Sequence, residues 1–367
     1  MPTRVTVQDI ADALGVSRNT VSKAINGTGV LAEATRQKIL LKAAEMGYKQ
    51  FSYMKLPAFS TGNNDSGDGK TNGNTAEKPF GNYGVISLLT TGNLGSSHFS
   101  STMLDRFQRE LSERGYSFMI HRVTEEDIRE MRLPSSFRPE LAAAVMCIEL
   151  FHSAYAEMLC GMGLPILFVD GPVSRFGKRL ACDFLIMDNR TEIIAFIAEM
   201  TRRGYTKFGF VGEVHHCISF YERYLSLKIG LSLYGLSLDE KYVISSGNEK
   251  DIYADEQAYQ EFLQYSLKDT DLPEVFFCAN DFIALDVLAV FRQKGVRVPE
   301  DVLLCGFDDS PESRVVTPSL TTIHIHTQIM GLSAANLLVS RIQEPTLHYR
   351  TVYTETSIIY RESTKDS

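Results

Sequence analysis

The chain has 367 residues, of which 44% are hydrophobic and 22% charged, and its net charge is −8. This composition is typical of a globular protein with two or three domains and argues against a general polyanion binder. No apolar run approaches the ~20 residues that span a bilayer, and no signal peptide is recognisable at the start, so the sequence predicts a cytoplasmic protein that does not contact a membrane. The six cysteines are widely spaced, which indicates neither a zinc ribbon nor a disulfide framework.

Residues 5–27, VTVQDIADALGVSRNTVSKAING, predict two short helices joined by a tight turn. Thr6 and Asp9 have the spacing of a capping box at the start of the first helix. Gly15 stands where a left-handed residue would end that helix, and Ser17 is placed to cap the second. A third helix, predicted over residues 33–46, would complete a small bundle.

The second predicted helix has one apolar face and an opposite face of polar and basic side chains. Arginine pairs bidentately with guanine and asparagine with adenine, while serine and lysine hold phosphates, so this helix suits the major groove of DNA. The first 50 residues carry seven basic and four acidic side chains, a net +3 on a chain that is otherwise −11. A bundle with a merely solvated polar face is the alternative. The candidate DNA-binding residues are Thr6, Ser17, Arg18, Asn19, Thr20, Ser22, Lys23 and Asn26.

A change in composition separates this head from the rest of the chain. Residues 50–56 are compatible with a short hinge helix that Pro57 would end, which gives a DNA-binding domain over residues 1–56. Residues 57–82 are rich in Gly, Asn, Ser, Thr and Asp and predict a flexible linker.

From residue 83 onward, short apolar runs alternate with helical patterns. The predicted strands cover 83–89, 116–121, 143–148, 165–169, 183–187, 207–212, 241–245, 274–279 and 302–306. Such alternation predicts an α/β body with doubly wound parallel sheets. Because about 280 residues exceed the needs of one such sheet, we expect two lobes with a ligand site in the cleft between them.

The motifs resemble those of the lactose-repressor (LacI) family of bacterial transcription regulators. The resemblance rests on the head, on LPILFVDGP (164–172), on IMDNRTEIIAFIAEMTRRGYTKFGFVG (186–212), on VPEDVLLCGFDDS (298–310) and on TPSLTTI (317–323). It implies a three-helix head that binds a palindromic operator as a homodimer, and a body like periplasmic sugar-binding proteins. It also implies interleaved lobes over 83–365: the first at about 83–183 and 312–342, the second at about 184–311 and 343–365.

By this resemblance the effector-binding residues are Phe99, Asp170, Tyr221, Asn280 and Asp308. Carboxylates, an amide and an aromatic face suit a polyhydroxylated ligand. The chain departs from the family pattern in the hinge, at Gln50, Phe51 and Pro57, in its longer linker, and at two contact positions. Tyr221 stands where an effector-gripping arginine is common, which favours a neutral sugar, and Lys23 replaces an arginine, which weakens the case for base contact there.

The sequence therefore predicts a repressor of carbohydrate-metabolism genes, without cofactor or metal. The pair His324 and His326 has no third candidate metal ligand nearby. None of the common phosphate-binding, dinucleotide-binding, hydrolase or zinc-protease motifs is present, which argues against an enzyme. A sugar-binding protein without DNA-binding output and, more remotely, a sugar-acting enzyme are the alternatives.

Overall fold

The computed structural model describes residues 6–26, 84–92, 98–173, 179–247, 256–267 and 271–365, together with 32, 35, 38, 39, 42, 43 and 46. The predicted hinge helix at 50–56 and linker at 57–82 lie outside the described residues. The chain divides into two units, residues 1–76 and 77–367, which we call the head and the body.

The head contains the two predicted helices, α1 (Val7–Leu14) and α2 (Arg18–Asn26). The capping box predicted for α1 is present, because Asp9 N–H donates to Thr6 Oγ1 and Thr6 N–H donates to Asp9 Oδ2. Gly15 ends α1 at φ 64°, and Thr20 N–H donates to Ser17 Oγ at 3.0 Å. The core of the head is apolar and consists of Ile10, Ala11, Val21, Ala24, Ile39 and Ala43. The last two are helical residues of the third predicted segment.

The body alternates strands and helices as the sequence predicts. Its strands are β1 (Val85–Thr90), β2 (Ser117–Arg122), β3 (Ala142–Ile148), β4 (Ile166–Val169), β5 (Asp183–Met187), β6 (Phe208–Val211), β7 (Val243–Ile244), β8 (Val275–Cys278), β9 (Leu303–Cys305), β10 (Thr322–Ile325), β11 (Thr351–Thr354) and β12 (Thr356–Ile359). Its helices are α3 (His98–Glu113), α4 (Glu125–Arg129), α5 (Ser153–Cys160), α6 (Thr191–Arg202), α7 (Ile218–Leu233), α8 (Glu256–Ser266), α9 (Asp281–Lys294), α10 (Pro311–Val315) and α11 (Thr327–Gln343).

The first sheet has the order β11-β5-β4-β3-β1-β2, and its strands are parallel. Both faces of its central strands are covered. In β3, Met146 belongs to one core cluster, whereas its neighbours Val145 and Cys147 belong to another. A strand buried on both faces needs apolar residues at successive positions, which is why its sequence lacks a polar alternation. Helices α3 and α11 pack tightly, since a Cβ on Gly331 would meet Met103 O at 2.5 Å.

The second sheet has the parallel order β7-β6-β8-β9, and β10 pairs antiparallel with β12 beside it. β10 follows on from this sheet, because Gly306 N–H donates to Thr321 O and Asp308 N–H donates to Ile323 O, both at 2.8 Å. Each sheet with its helices forms one lobe of the body.

The chain crosses between the lobes after β5, between β10 and α11, and between β11 and β12. The predicted lobe boundaries are therefore corrected. β5 and β11 pair with each other and lie in the first sheet, although the sequence assigned 184–311 and 343–365 to the second lobe. Likewise β10 joins the second lobe, although 312–342 was assigned to the first. Apolar strand sequences do not record which sheet a strand joins, so the crossings were placed too early.

Candidate functional site

Helix α2 presents its predicted contact residues at the surface of the head. Arg18, Asn19 and Lys23 are exposed, and Val21 and Ala24 are buried beneath them. The first turn of this helix therefore offers a guanidinium and an amide side by side, which is the donor and acceptor set that reads guanine and adenine edges.

Two of the remaining predicted DNA contacts also have a structural role as helix caps. Thr6 and Ser17 are exposed and serve as caps of α1 and α2, while Ser17 Oγ lies 2.8 Å from Thr20 Oγ1. Thr20 and Ser22 are half-buried. Asn26 ends α2, and its side chain lies outside the described atoms.

In the body, the residue that organises the site is Arg223 in the second turn of α7, which the sequence analysis missed. Its side chain is 3% exposed. Its Nε donates to Asn189 Oδ1 at 2.9 Å and its Nη1 donates to Ala279 O at 2.5 Å. The guanidinium carbon lies 3.5 Å from the centre of the Phe307 ring, within range of a cation–π interaction.

Asp308 is the carboxylate that faces Arg223. Its Oδ1 lies 3.7 Å from Arg223 Nη2, and 23% of its side chain is exposed. The residue has φ 112°, a strained conformation outside glycine that turns the chain directly after β9 and Phe307. Burial raises the pKa of Asp308 to about 7; Arg223 works against this, whereas Asp281 and Asp170 add to it. A carboxyl group whose pKa is raised to near 7 by its surroundings is typical of a functional site.

Asp170 is the contribution of the first lobe to the site around Arg223 and Asp308. It follows β4 at φ 58°, and its Oδ1 accepts hydrogen bonds from Gly171 N–H at 2.8 Å and from Ser219 N–H at 3.1 Å. Ser219 lies in the first turn of α7, so the carboxylate of one lobe caps the positive end of a helix in the other. Ile218 N–H also donates to Gly171 O at 2.9 Å. Asp170 and Asp308 thus lie close enough for their charges to interact, at the point where the two lobes meet.

Aromatic rings from both lobes flank these polar groups. Phe151 lies three residues after the end of β3. Its ring meets that of His216 edge-on, with ring centroids 4.8 Å apart. His216 also contacts Phe220 at 5.0 Å, and the predicted effector residue Tyr221 stacks on His215 at 5.7 Å. Tyr221 is therefore a half-buried ring that packs against the core of the body. The family resemblance led us to expect an arginine at the position of Tyr221. The arginine of this site is instead Arg223, two residues further along α7.

Asn280 and Phe99 complete the set of predicted effector residues. Asn280 is 8% exposed and caps α9, since its Oδ1 accepts from Ile283 N–H at 2.9 Å. It precedes α9 and follows Ala279, whose carbonyl holds Arg223. Phe99 lies in the first turn of α3, and its side chain is outside the described atoms.

A second set of hydrogen bonds fixes Arg223 and connects it to the lobe crossings. Asn189, in the crossing after β5, also donates from Nδ2 to Glu222 Oε2 at 2.9 Å. Tyr353 in β11 donates its hydroxyl to Glu222 Oε1 at 2.7 Å. The backbone of Asp188 donates to Thr354 O at 2.8 Å, which joins two of the crossings. The orientation of the guanidinium thus depends on the segments about which the lobes would rotate.

Comparison with known proteins agrees with both halves of this architecture. Residues 6–50 match the model for bacterial regulatory proteins of the lacI family, and residues 197–364 match the periplasmic binding protein-like domain. Together the two models cover more than half of the chain. The chain belongs to the LacI family of bacterial regulators. The expectations of the sequence for family and fold class are confirmed.

Relatives of this LacI-family chain match it over almost its full length. The HTH-type transcriptional repressor PurR of Photobacterium profundum is 24% identical over 98% of this chain and 99% of its own. The PurR of Aliivibrio salmonicida is 25% identical over 98% of each chain. These relatives are transcriptional repressors, and the LacI-family chain is accordingly a DNA-binding transcriptional regulator and not an enzyme.

Solved structures share its fold. The transcriptional regulator CelR in complex with cellobiose has a TM-score of 0.63 at 24% identity, with coverage of 98% of this chain and 100% of CelR. The lac repressor dimer bound to operator and the anti-inducer ONPF has a TM-score of 0.60 at 17% identity, with 99% of each chain covered. Regulators of this family bind operator DNA and small-molecule effectors.

The described residues were also compared with the requirements of a metal site and of a membrane-spanning helix. Among the described residues, no group of three or more His, Cys, Asp or Glu side chains is placed to hold a metal ion. His324 instead lies 2.9 Å from Asp309 Oδ2, and His326 lies 3.0 Å from Ser357 Oγ. Within the described part of the chain, no helix has both the length and the apolar character needed to cross a membrane.

Proposed function

We propose that this regulator represses carbohydrate-metabolism genes as a cytoplasmic homodimer, and that a neutral sugar bound between the lobes controls it. The observation that carries the effector assignment is the pair formed by buried Arg223 and partly exposed Asp308. Its guanidinium and carboxylate lie 3.7 Å apart at their nearest atoms, at the ends of elements from the second lobe, with Asp170 of the first lobe beside them.

The chemistry of this pair favours a neutral polyhydroxylated ligand. The carboxylate accepts hydrogen bonds from hydroxyl groups, and the neighbouring guanidinium donates to hydroxyl oxygens, so two adjacent hydroxyls fit one pair. At neutral pH Asp308, with its pKa of about 7, balances part of the charge of Arg223, and Asp170 adds a second carboxylate beside the pair. Because carboxyl groups already surround the guanidinium, the site favours a neutral ligand over an anion. The sequence analysis inferred a neutral sugar from Tyr221, and the support now comes from the carboxyl groups around Arg223.

The surroundings of the pair agree with a sugar. Phe151 and Tyr221 are partly exposed rings that would stack on the C–H groups of a pyranose, and Asn280 lies at the start of the neighbouring helix. The structurally similar CelR was solved with cellobiose. The same aromatic rings could stack on a planar base, so purine bases are the second candidate class of effector.

The DNA-binding surface is proposed to be the N-terminal half of α2. Arg18 and Asn19 would contact base edges, Lys23 would contact phosphate, and the caps would orient the helices. Their exposure and the net charge of the head support this assignment. The complete proposed set is Thr6, Ser17, Arg18, Asn19, Thr20, Ser22, Lys23 and Asn26.

The dimer is proposed to form with a second copy along the edge of the first sheet. β2 is the edge strand, and its Met119 and Ile120 are 50% and 54% exposed. An edge strand with large exposed apolar side chains is prone to association unless a partner covers it. The lac repressor, whose fold this chain shares, was solved as a dimer on its operator.

Two measurements test the proposal. Selection of random duplex DNA on the purified protein should return a palindromic motif, and a non-palindromic motif or none would overturn the dimeric operator reading. A thermal-shift panel of pentoses, hexoses, disaccharides, sugar phosphates and purine bases should show stabilisation by a neutral sugar. Asp308→Ala should abolish that shift, and the exposed Glu113→Gln variant should retain it. Stabilisation by a purine alone would favour the second candidate class.

A further inference from the structure

A hydrogen bond joins the two lobes between β11 and α7. Tyr353 lies on β11, the edge strand of the first sheet, and Glu222 lies on α7 of the second lobe. The Tyr353 hydroxyl donates to Glu222 Oε1 at 2.7 Å. Burial and the Glu222 carboxylate raise the pKa of Tyr353 to about 12, so its hydroxyl remains a donor at neutral pH. The guanidinium carbon of Arg190, directly before α6, lies 5.2 Å from the centre of the same ring, so two charged side chains hold this tyrosine.

Asn189 carries this contact on to the effector site. Its side chain is fully buried, and its Nδ2 donates to Glu222 Oε2 at 2.9 Å. On its other side, its Oδ1 accepts from Arg223 Nε at 2.9 Å. Because a carboxylate can only accept and a guanidinium can only donate, these two neighbours leave the amide one orientation. Glu222 thus holds Asn189 in the orientation that Arg223 requires.

The direction of the Arg223 guanidinium depends on this amide. Nε is bound by Asn189 and Nη1 by the carbonyl of Ala279, while Nη2 lies 3.7 Å from Asp308 Oδ1. Since a guanidinium is planar, the acceptors on Nε and Nη1 together determine where Nη2 lies. A rotation of the Asn189 amide would therefore displace the donor that the pair of Arg223 and Asp308 offers to a hydroxyl group.

We propose that Tyr353 and Glu222 are positioning residues of the effector site, through which contact between the lobes sets the orientation of Arg223. Neither side chain needs to touch the effector. The regulatory consequence rests on the proposed function, in which Arg223 and Asp308 bind the sugar. A sugar that requires the oriented guanidinium binds most tightly when Tyr353 and Glu222 are in contact, and by linkage it stabilises that arrangement of the lobes.

A positioning role and a merely structural role differ in what they predict for the Nε–H proton of Arg223. This proton is hydrogen-bonded and the side chain is only 3% exposed, so it exchanges slowly with water. Loosening of the Asn189 amide accelerates the exchange of this one proton. A general loss of stability accelerates exchange at every buried arginine alike.

The test is the exchange of arginine Nε–H protons with water, recorded by NMR on the full chain, labelled with deuterium and nitrogen-15, without effector. The signal that Arg223→Met loses is that of Arg223. We expect its exchange to be about tenfold faster in Glu222→Leu and about threefold faster in Tyr353→Phe, which is the range for the net contribution of one hydrogen bond. Tyr353→Phe keeps the ring beneath Arg190 and removes only the hydroxyl.

Two controls isolate the effect. Arg341 is as buried as Arg223, at 4% exposed, and its Nε donates to Asp183 within the first lobe, so its exchange should stay unchanged in both variants. Tyr360→Phe is the matched substitution, because Tyr360 is 39% exposed and lies beneath Arg203, much as Tyr353 is 40% exposed and lies beneath Arg190. It should leave the exchange at Arg223 as in the wild type.

A conservative variant should restore the function of the carboxylate. Glu222→Gln should retain slow exchange at Arg223, because its amide oxygen accepts from Asn189 while its N–H donates to the Tyr353 hydroxyl. Unchanged exchange at Arg223 in either Glu222→Leu or Tyr353→Phe would overturn the proposal. So would equal acceleration at Arg341. Tyr353→Phe, which removes a single oxygen, decides the matter even if Glu222→Leu does not fold.

Calorimetry with the sugar that gives the largest shift in the thermal-shift panel tests the regulatory consequence. Tyr353→Phe should weaken its binding about threefold, and Tyr360→Phe should not change it. If no sugar of the panel binds, the proposed function fails while the exchange at Arg223 still decides the positioning role. If the sugar binds the wild type and Tyr353→Phe equally, the positioning role fails while the proposed function stands.

Discussion

Asp308 makes the stability of the body depend on pH in a predictable direction. Burial raises its pKa to about 7, whereas an aspartate in the unfolded chain titrates near ~3.9. Between these values the folded chain holds a proton that the unfolded chain has lost. The free energy of unfolding therefore falls as pH rises from about 4 to about 7, and the contribution of Asp308 is constant above that range.

The size of the effect follows from the pKa difference. Each pKa unit corresponds to about 1.4 kcal/mol, so a shift of about three units sets an upper limit of about 4 kcal/mol. Because 23% of the side chain remains exposed, solvent screens part of this shift, and we expect about half of that limit, ~2 kcal/mol.

Urea unfolding of the wild type and of Asp308→Asn measures this quantity. Asparagine keeps the shape of the side chain and removes its titration, so the variant should gain on the wild type by about 2 kcal/mol as pH rises from 4 to 8. Asp281, whose pKa burial raises to about 6, titrates in both proteins and cancels in the difference. Glu113→Gln, at an exposed position, should follow the wild type. Parallel pH profiles for wild type and Asp308→Asn would refute the reasoning.

Three further outcomes are expected from single substitutions. Arg18→Ala should weaken operator binding by ~1–3 kcal/mol in fluorescence anisotropy and relax one base preference; an unchanged selected motif would contradict base contact. Arg223→Met should abolish effector response while operator affinity without effector is retained, and calorimetry with normal sugar affinity would exclude the assigned role. Asp183→Asn should lower the free energy of unfolding by about 3 kcal/mol, because it leaves the Arg341 guanidinium buried without its carboxylate; an unchanged urea midpoint would contradict this.

Most elements could be predicted from the sequence because their signals are local. The helix Asp281–Lys294 has local signals at both ends, since Asn280 caps its start and Gly295 ends it at φ 73°. The capping box of α1 likewise depends on only two residues, Thr6 and Asp9. Patterns of this kind depend on neighbours in the chain, so one sequence suffices to recognise them.

What depends on distant pairing was less predictable. The strands β5 and β11 lie side by side, although more than 160 residues separate them, and nothing in their apolar sequences identifies the shared sheet. Arg223 differs from these strands, because its sequence context carried a signal that was overlooked. It lies on the buried stripe of α7 together with Ser219, Ser226 and Gly230. A charged residue among small buried residues indicates a paired, functional position.

The two hydrogen bonds that the backbone N–H groups of Ile218 and Ser219 donate to the Gly171 carbonyl and the Asp170 carboxylate also provide an internal reporter of motion. Separation of the lobes must break the bonds donated by Ile218 and Ser219. The exchange of these two amide protons with deuterium therefore measures the free energy of lobe opening directly. An effector that holds the cleft shut should slow their exchange by the same factor by which it favours the closed form. The exchange rates of the two amides, recorded by mass spectrometry, therefore report the regulatory equilibrium.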